Sequence, residues 1–281
     1  MAGLLEFQKR MPSQCISYKK VCGLELPMCI YLPDEPLTED TVTVLVIHGG
    51  SWYSRVKEGE AWNGDWMRAT AQYYAEKGFI AIEISYRSID FMEDTTLEDL
   101  IQDCKDAIRF IYKKLPMVCR QKLIVMGDSA GGHLAVMMGI SEDPFIRPYG
   151  VVAFNPVLDC SAPRWSYTRK TFCPVSSVSP IEMSPKECAK FLFLHGTSDT
   201  IVPIGDTISF HEKLKGLGHD SGFLEIPGAR HAFILFGYKE SDEYVLTIMK
   251  QVDEYMESHW NIGKRRGAVR QKYEIQSFTV S

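Results

Sequence analysis

The chain has 281 residues, 45% of them apolar, and a formal net charge of -5. That length and apolar share suffice for one sizeable core, and the mildly acidic balance excludes an electrostatic drive towards nucleic acid or an anionic membrane, leaving a small molecule as the expected partner. The opening Met-Ala-Gly-Leu-Leu-Glu-Phe-Gln-Lys-Arg-Met lacks the unbroken apolar stretch of an export signal and no later run reaches the length of a membrane span, so a cytoplasmic location is expected.

In chain order, Gln14 to Leu32 alternates loosely between apolar and polar residues and predicts two strands, stopped by Pro33, Asp34 and Pro36. Cys15, Cys22 and Cys29 recur every seven residues within this stretch, but without an export signal all 8 cysteines are expected to be reduced thiols. No Cys-x-x-Cys pair or histidine cluster suits a structural zinc. Val42 to Ile47 is an almost continuous apolar run, as in a strand buried on both faces, and it ends at His48-Gly49-Gly50-Ser51-Trp52. A polar loop follows, then a predicted helix from Asp65 to Lys77 ended by Gly78, and a second buried strand from Phe79 to Ser85. Thr96 to Leu115 places Leu97, Leu100, Ile101, Cys104, Ala107, Ile108 and Ile111 on one face at helical spacing, with Pro116 just beyond.

Leu123 to His133 is the organising stretch. Four apolar residues up to Gly127 predict a buried strand, and the small residues after Ser129, followed by Leu134, Val136, Met137 and Met138, predict a helix. Ser129 sits at the junction inside Gly127-Asp128-Ser129-Ala130-Gly131, a G-x-S-x-G turn that holds a serine with its Oγ projecting. A phosphate-cradling turn is the weaker alternative, because the chain has no Walker pattern and its glycines miss the dinucleotide spacing. Short apolar runs recur at Val151 to Phe154, Phe191 to Leu194 and Phe223 to Ile226, and Ser241 to Trp260 carries one more helical stripe. Strands alternating with helices predict an α/β fold: a mostly parallel central sheet flanked by helices on both faces, with ligands at the carboxyl ends of the strands.

Residues 1–260 are read as one domain with a short lid insertion over 159–188, which is proline-rich, aperiodic and too aromatic for a disordered loop. Residues 261–281 are read as a basic solvated tail, although Tyr273 to Val280 could add a strand to a second subunit and make a homodimer.

A serine needs a base, and the base an acid to fix its tautomer. Past the strand at Phe191 to Leu194 lies Asp199, and past Phe223 to Ile226 lies His231. Asp206 and Glu225 are rival acids, but one falls in the next helix and the other inside a strand. Among the other histidines, His195 is read as shaping the turn beneath Asp199, His133 as too near Ser129 in sequence, and His211, His219 and His259 as surface or helix-end residues. The order Ser129, Asp199, His231 is that of the α/β-hydrolase triad. The oxyanion donors are expected to be the backbone N–H groups of Gly50, Ser51 and Ala130, with His48 shaping the loop. Trp52, Trp165 and Tyr167 are candidates for substrate binding, as are Tyr53, Trp62, Trp66 and Phe172, because aromatics there suit flat acyl groups or sugar faces.

His48-Gly49-Gly50-Ser51-Trp52, Tyr86-Arg87, Gly127 to Gly132, His195-Gly196 with Asp199 and Val202-Pro203, and His231 together resemble the hormone-sensitive-lipase-like and carbohydrate-esterase-like branch of the α/β-hydrolases, over roughly Val42 to Trp260. Ser51 stands where many relatives have a third glycine, a departure that leaves a backbone donor in place. The resemblance implies hydrolysis of carboxylic esters without a cofactor, often with short acyl groups, in a family whose relatives act on acetylated or feruloylated sugars and on formamides. An amide hydrolase such as an arylformamidase or small peptidase is the alternative within the same chemistry. A noncatalytic hydrolase-like binder is the alternative outside it.

Overall fold

The computed structural model describes residues 5–53, 65–166 and 170–263. Two antiparallel strands, β1 (Gln14–Val21) and β2 (Leu24–Tyr31), lead in as a hairpin. They are followed by β3 (Thr43–Ile47), α1 (Asp65–Glu76), β4 (Ile80–Ile84) and α2 (Leu97–Lys114). Then come β5 (Leu123–Asp128), α3 (Ala130–Gly139), β6 (Gly150–Phe154) and β7 (Lys190–Gly196). The chain closes on α4 (Ile204–Gly216), β8 (Ser221–Ile226) and α5 (Asp242–Trp260). The strands form one eight-stranded sheet in the order β1-β2-β4-β3-β5-β6-β7-β8. β2 meets β4 antiparallel, and every pairing from β4 to β8 is parallel.

The continuous apolar runs are the reason the sheet is covered on both sides. Successive side chains of a strand point to opposite faces, so in β5 Leu123 and Val125 join the core shared with α2, α3 and α4, while Ile124 and Met126 join the core shared with α1 and α5. α2 is started by Asp99, whose carboxylate accepts the backbone N–H of Thr96 at 3.0 Å, and it buries the stripe that its periodicity predicts.

An ion cluster ties the hairpin to α2. Asp103, fully buried, accepts Lys19 Nζ at 2.7 Å and the guanidinium of Arg87 at 2.8 and 3.0 Å, and Lys19 also reaches Asp106 at 2.6 Å. A buried carboxylate needs such partners to offset the loss of water.

The expectation that all thiols are reduced fails at one pair. Cys15 and Cys29 sit opposite each other in the β1–β2 ladder and are joined by a disulfide, while the other six cysteines are free. Their seven-residue spacings are incidental, since it is the hairpin register that sets the two Cβ atoms face to face.

Within 159–188 the described residues form short 3-10 turns at Pro163–Trp165, Val175–Val178 and Pro180–Glu182. The tail expected over 261–281 lies almost entirely outside the described residues, Tyr273 to Val280 included. Among the described residues no helix is long and apolar enough to cross a membrane.

Candidate active site

β5 ends at Asp128 and α3 begins at Ala130, which leaves Ser129 at the corner with φ 55° and ψ -115°. A serine holds that left-handed conformation only where its surroundings over-determine it. Here its N–H donates to Phe154 O at 2.9 Å, and its carbonyl accepts the N–H of His133 at 2.9 Å and of Val157 at 3.3 Å. The corner also needs close approach of bare backbone. A Cβ on Gly131 would stand 2.2 Å from Ile47 O, and one on Gly49 would stand 2.7 Å from Asp128 O. These two glycines let the helix start, the end of β3 and the loop after it crowd around one hydroxyl.

The loops past β7 and β8 bring two more groups to that hydroxyl. His231 Nδ1 lies 2.7 Å from Asp199 Oδ2, and Nε2 lies 2.9 Å from Ser129 Oγ. With the Nδ1 proton donated to the carboxylate, the Nε2 lone pair faces the serine O–H. Asp199 is held by more than the imidazole. Its Oδ1 accepts the backbone N–H groups of Ile201 and Val202 at 2.8 and 3.0 Å, and His195 Nε2 lies 3.3 Å from Oδ2. Burial alone would raise this carboxyl's pKa, but hydrogen bonds from His195, His231 and the Val202 N–H outweigh it and hold the group well below the usual carboxylate range. His195 also bonds Thr207 Oγ1 and Val202 O, so it shapes the Asp199 turn as its position past the strand suggests. Asp206 lies in the first turn of α4 and Glu225 is an exposed residue of β8. His211 bonds Ser221, His219 bonds Pro185 O, and His259 is exposed at the end of α5.

Opposite the serine, the loop after β3 turns through three consecutive positive φ values: Gly50 at 105°, Ser51 at 58° and Trp52 at 61°. Tyr86 Oη donates to the carbonyl of His48 at 2.9 Å, and the two rings stack with centroids 4.5 Å apart. His48 is buried, which lowers its pKa to about 4, and its Nδ1 proton goes to Gly49 O at 2.8 Å. The Tyr86-Arg87 pair is thereby a support for this loop: Arg87 is pinned by Asp103 and Tyr86 by His48. No backbone acceptor among the described residues takes the N–H of Gly50 or Ser51, and Ala130 opens α3, where amides have no helical partner.

A pocket of about 300 Å³ opens over Ser129 and His231, walled by His48 to Ser51, Tyr53 and Asp128, with Ile201, Ala232, Tyr238 and Lys239 on the far side. Burial raises the Asp128 carboxyl to about 6, against the opposing pull of His231 and of the Asn155 amide that donates to it at 2.6 Å. Lys239 donates from the rim to His231 O at 3.1 Å. Ile201, Tyr238 and Lys239 were not singled out in the sequence. Their only signal is proximity in chain to Asp199 and His231, and the loop paths decide which neighbours face inward.

Two candidate substrate contacts are corrected by the structure. Trp52 is 0% and Trp165 5% exposed, and they pack edge to face with centroids 5.4 Å apart inside the core, because the turn at Ser51 sends the next side chain backwards, away from the pocket. Phe172 is 75% exposed and absent from the pocket wall. Tyr167 and Trp62 lie outside the described residues, as does the side chain of Trp66. None of the described residues of 159–188 lines the pocket; Arg164 braces the Asp199 loop by donating to Ile201 O at 2.8 Å. Among the described residues no group of three or more His, Cys, Asp or Glu is placed to hold a metal ion.

Comparison with known proteins agrees with this fold. The family described as BD-FAE matches residues 28–148. The chain is 26% identical over 234 residues to a probable carboxylic ester hydrolase, LipM, of Mycobacterium tuberculosis, covering 73% of this chain and 52% of the relative. It is 25% identical over 233 residues to the esterase LipC of the same organism, covering 70% and 54%. The chain thus spans about half the length of these curated relatives. Among solved structures, Thermogutta terrifontis esterase 2 phosphonylated by cyclosarin superposes with a TM-score of 0.74 at 25% identity, covering 86% of this chain and 92% of that one. The same esterase phosphoramylated by tabun gives 0.76 at 25%, covering 90% and 97%. A parallel sheet entered by an antiparallel hairpin, with a serine corner after its fifth strand and structural neighbours of this kind, leaves one conclusion: the chain has the α/β-hydrolase fold.

Proposed function

We propose that the protein is a serine hydrolase that cleaves carboxylic esters with short or aromatic acyl groups, acetyl or feruloyl esters of sugars among them, through an acyl-enzyme on Ser129. The observation that carries this reading is the hydrogen-bonded run Asp199–His231–Ser129 at a pocket that Gly50 and Ser51 help to line, with Ala130 directly after the serine at the start of α3. In this mechanism Ser129 Oγ attacks the ester carbonyl carbon as His231 Nε2 takes its proton, and Asp199 steadies the imidazolium through Nδ1. The three amides receive the oxyanion, which is the larger electrostatic contribution because they are already oriented when charge develops. His231 then gives its proton to the leaving alkoxide. Water enters, loses its proton to the same nitrogen, attacks the acyl carbon, and Ser129 departs with the proton. No step needs a cofactor.

The pocket volume, about 300 Å³, lies at the small end of ligand sites and favours short or flat acyl groups over long chains. Residues 159–188 would then serve less as a lid over the pocket than as a brace behind the loops that line it. The test combines a fluorophosphonate probe with a substrate panel: p-nitrophenyl acetate, butyrate and octanoate, an aryl formamide, an aminoacyl amide, and acetylated and feruloylated sugars. Ser129 should label covalently, as the Thermogutta esterase is phosphonylated by cyclosarin. Ser129→Ala should lose on the order of a thousandfold or more in turnover. Undiminished turnover in that variant, or a wild type that neither labels nor hydrolyses any member of the panel, would refute the assignment. Faster cleavage of the formamide than of every ester would move it to the amide hydrolases.

A further inference from the structure

Behind the oxyanion loop runs a directed chain of hydrogen bonds. The indole N–H of Trp52 can only donate, and it reaches His133 Nδ1 at 3.1 Å. The imidazole proton must therefore sit on Nε2, which donates to the carbonyl of Val178 at 2.7 Å. All three residues are buried, Trp52 and His133 completely. His133 stands in the first turn of α3, and its N–H donates to the carbonyl of Ser129. Trp52 follows Ser51, and both hold left-handed backbone conformations with φ of 61° and 58°. Neither is a glycine, so something must hold them there. Val178 belongs to the turn Val175–Val178, part of the segment whose Trp165 packs edge to face on Trp52.

We propose that His133 is a positioning residue for the oxyanion loop: its Nδ1 lone pair anchors Trp52, and with it the left-handed Ser51–Trp52 backbone, while its Nε2 proton ties the loop to the Val175–Val178 turn. The proposal rests on the reading of the Gly50 and Ser51 amides as oxyanion donors. Its physical basis is that a buried indole N–H left without an acceptor costs enough to make the turn rearrange. A displacement of a donor by about 1 Å lowers turnover by about a hundredfold. Imidazole suits the position because it accepts at one end and donates at the other, and no aliphatic side chain of that size does either.

The two arms can be separated by substitution. His133→Asn keeps an acceptor near the place of Nδ1 and loses the far donor. His133→Gln carries its amide N–H out to the place of Nε2 and leaves Trp52 without an acceptor. His133→Leu lacks both, and Trp52→Phe removes the donor. On p-nitrophenyl acetate, kcat should fall about a hundredfold in His133→Leu, His133→Gln and Trp52→Phe with KM near the wild-type value, and His133→Asn should recover to within about tenfold of wild type. The double variant of Trp52→Phe with His133→Leu should be no worse than the poorer single variant. In ¹H–¹⁵N spectra the Trp52 indole signal, assigned by its loss in Trp52→Phe, should move in His133→Leu and His133→Gln and return in His133→Asn. Thermal melts identify any variant that is simply unfolded, and the Asn and Gln variants, of similar polarity, then carry the comparison. Equal kcat losses in Asn, Gln and Leu, or an indole signal unmoved in His133→Leu, overturn the proposal while an inactive Ser129→Ala leaves the hydrolase reading standing. Undiminished turnover in Ser129→Ala overturns both.

Discussion

Mild acid should destabilise this protein, because two imidazoles are buried in neutral form. Burial lowers His48 and His133 from 6.5 to about 4, outweighing the hydrogen bonds to Gly49 O and Val178 O that favour the charged forms. A histidine depressed in the folded state contributes stability that is present above its unfolded pKa and is lost as pH falls through the folded one, so the window runs from about 6.5 down to about 4. Between about pH 7.5 and about pH 4.5 each should cost about 2–3 kcal/mol of folding free energy, about 5 together. Asp128 works in the other direction. Its carboxyl is raised from 3.8 to about 6, so the folded state takes up a proton that the unfolded state does not. That returns about 2 kcal/mol over the same interval, for a net loss of about 3. The assay is urea unfolding followed by tryptophan fluorescence at the two pH values. His133→Asn, which cannot titrate, starts from a lower stability but should lose much less than the wild type between them. If His133→Asn keeps the full wild-type pH dependence, or if the His133 ring titrates in NMR like a free imidazole, the reasoning is wrong.

Three further outcomes follow from the geometry. Asp199→Asn should lower kcat by about 10⁴, because an amide donating to Nδ1 would turn the Nε2 proton towards Ser129; a loss under tenfold in steady-state assays would contradict this. Gly131→Ala should destabilise by about 3 kcal/mol or more, since its Cβ would meet the fixed backbone carbonyl of Ile47 at 2.2 Å, and a melting temperature unchanged in calorimetry would show that the helix start has room to move. Asp103→Ala should cost about 3–5 kcal/mol in urea unfolding by leaving Lys19 and Arg87 without their buried carboxylate, and the cost should shrink if Arg87 is replaced as well.

Strand and helix types were legible along most of the chain. Runs such as Val44 to Ile47 and Leu123 to Met126 are too uniformly apolar for a half-exposed surface, and the Leu97 to Ile111 stripe has only one helical face. Ser129, Asp199 and His231 could be nominated from the sequence because a nucleophile corner demands small flanking residues and because strand ends can be located from the runs before them. Chain order could not bring His231 Nε2 to 2.9 Å from Ser129 Oγ; that distance comes from β8 lying two strands beyond β6 and from the turn of the loop after it. Tertiary structure alone decided three other matters. Trp52 and Trp165 went to the core, since an aromatic beside a glycine loop suits either side and the positive φ at Ser51 chose the inner one. Cys15 met Cys29 through a hairpin register that periodicity does not encode. His133, set aside as too near Ser129 in sequence, lies between the indole of Trp52 and the carbonyl of Val178, two partners 81 and 45 residues away. Local pattern determines which backbone a segment adopts, because hydrogen bonding and burial repeat along it. The partners of a buried polar group come from other segments, and only the packed fold selects them.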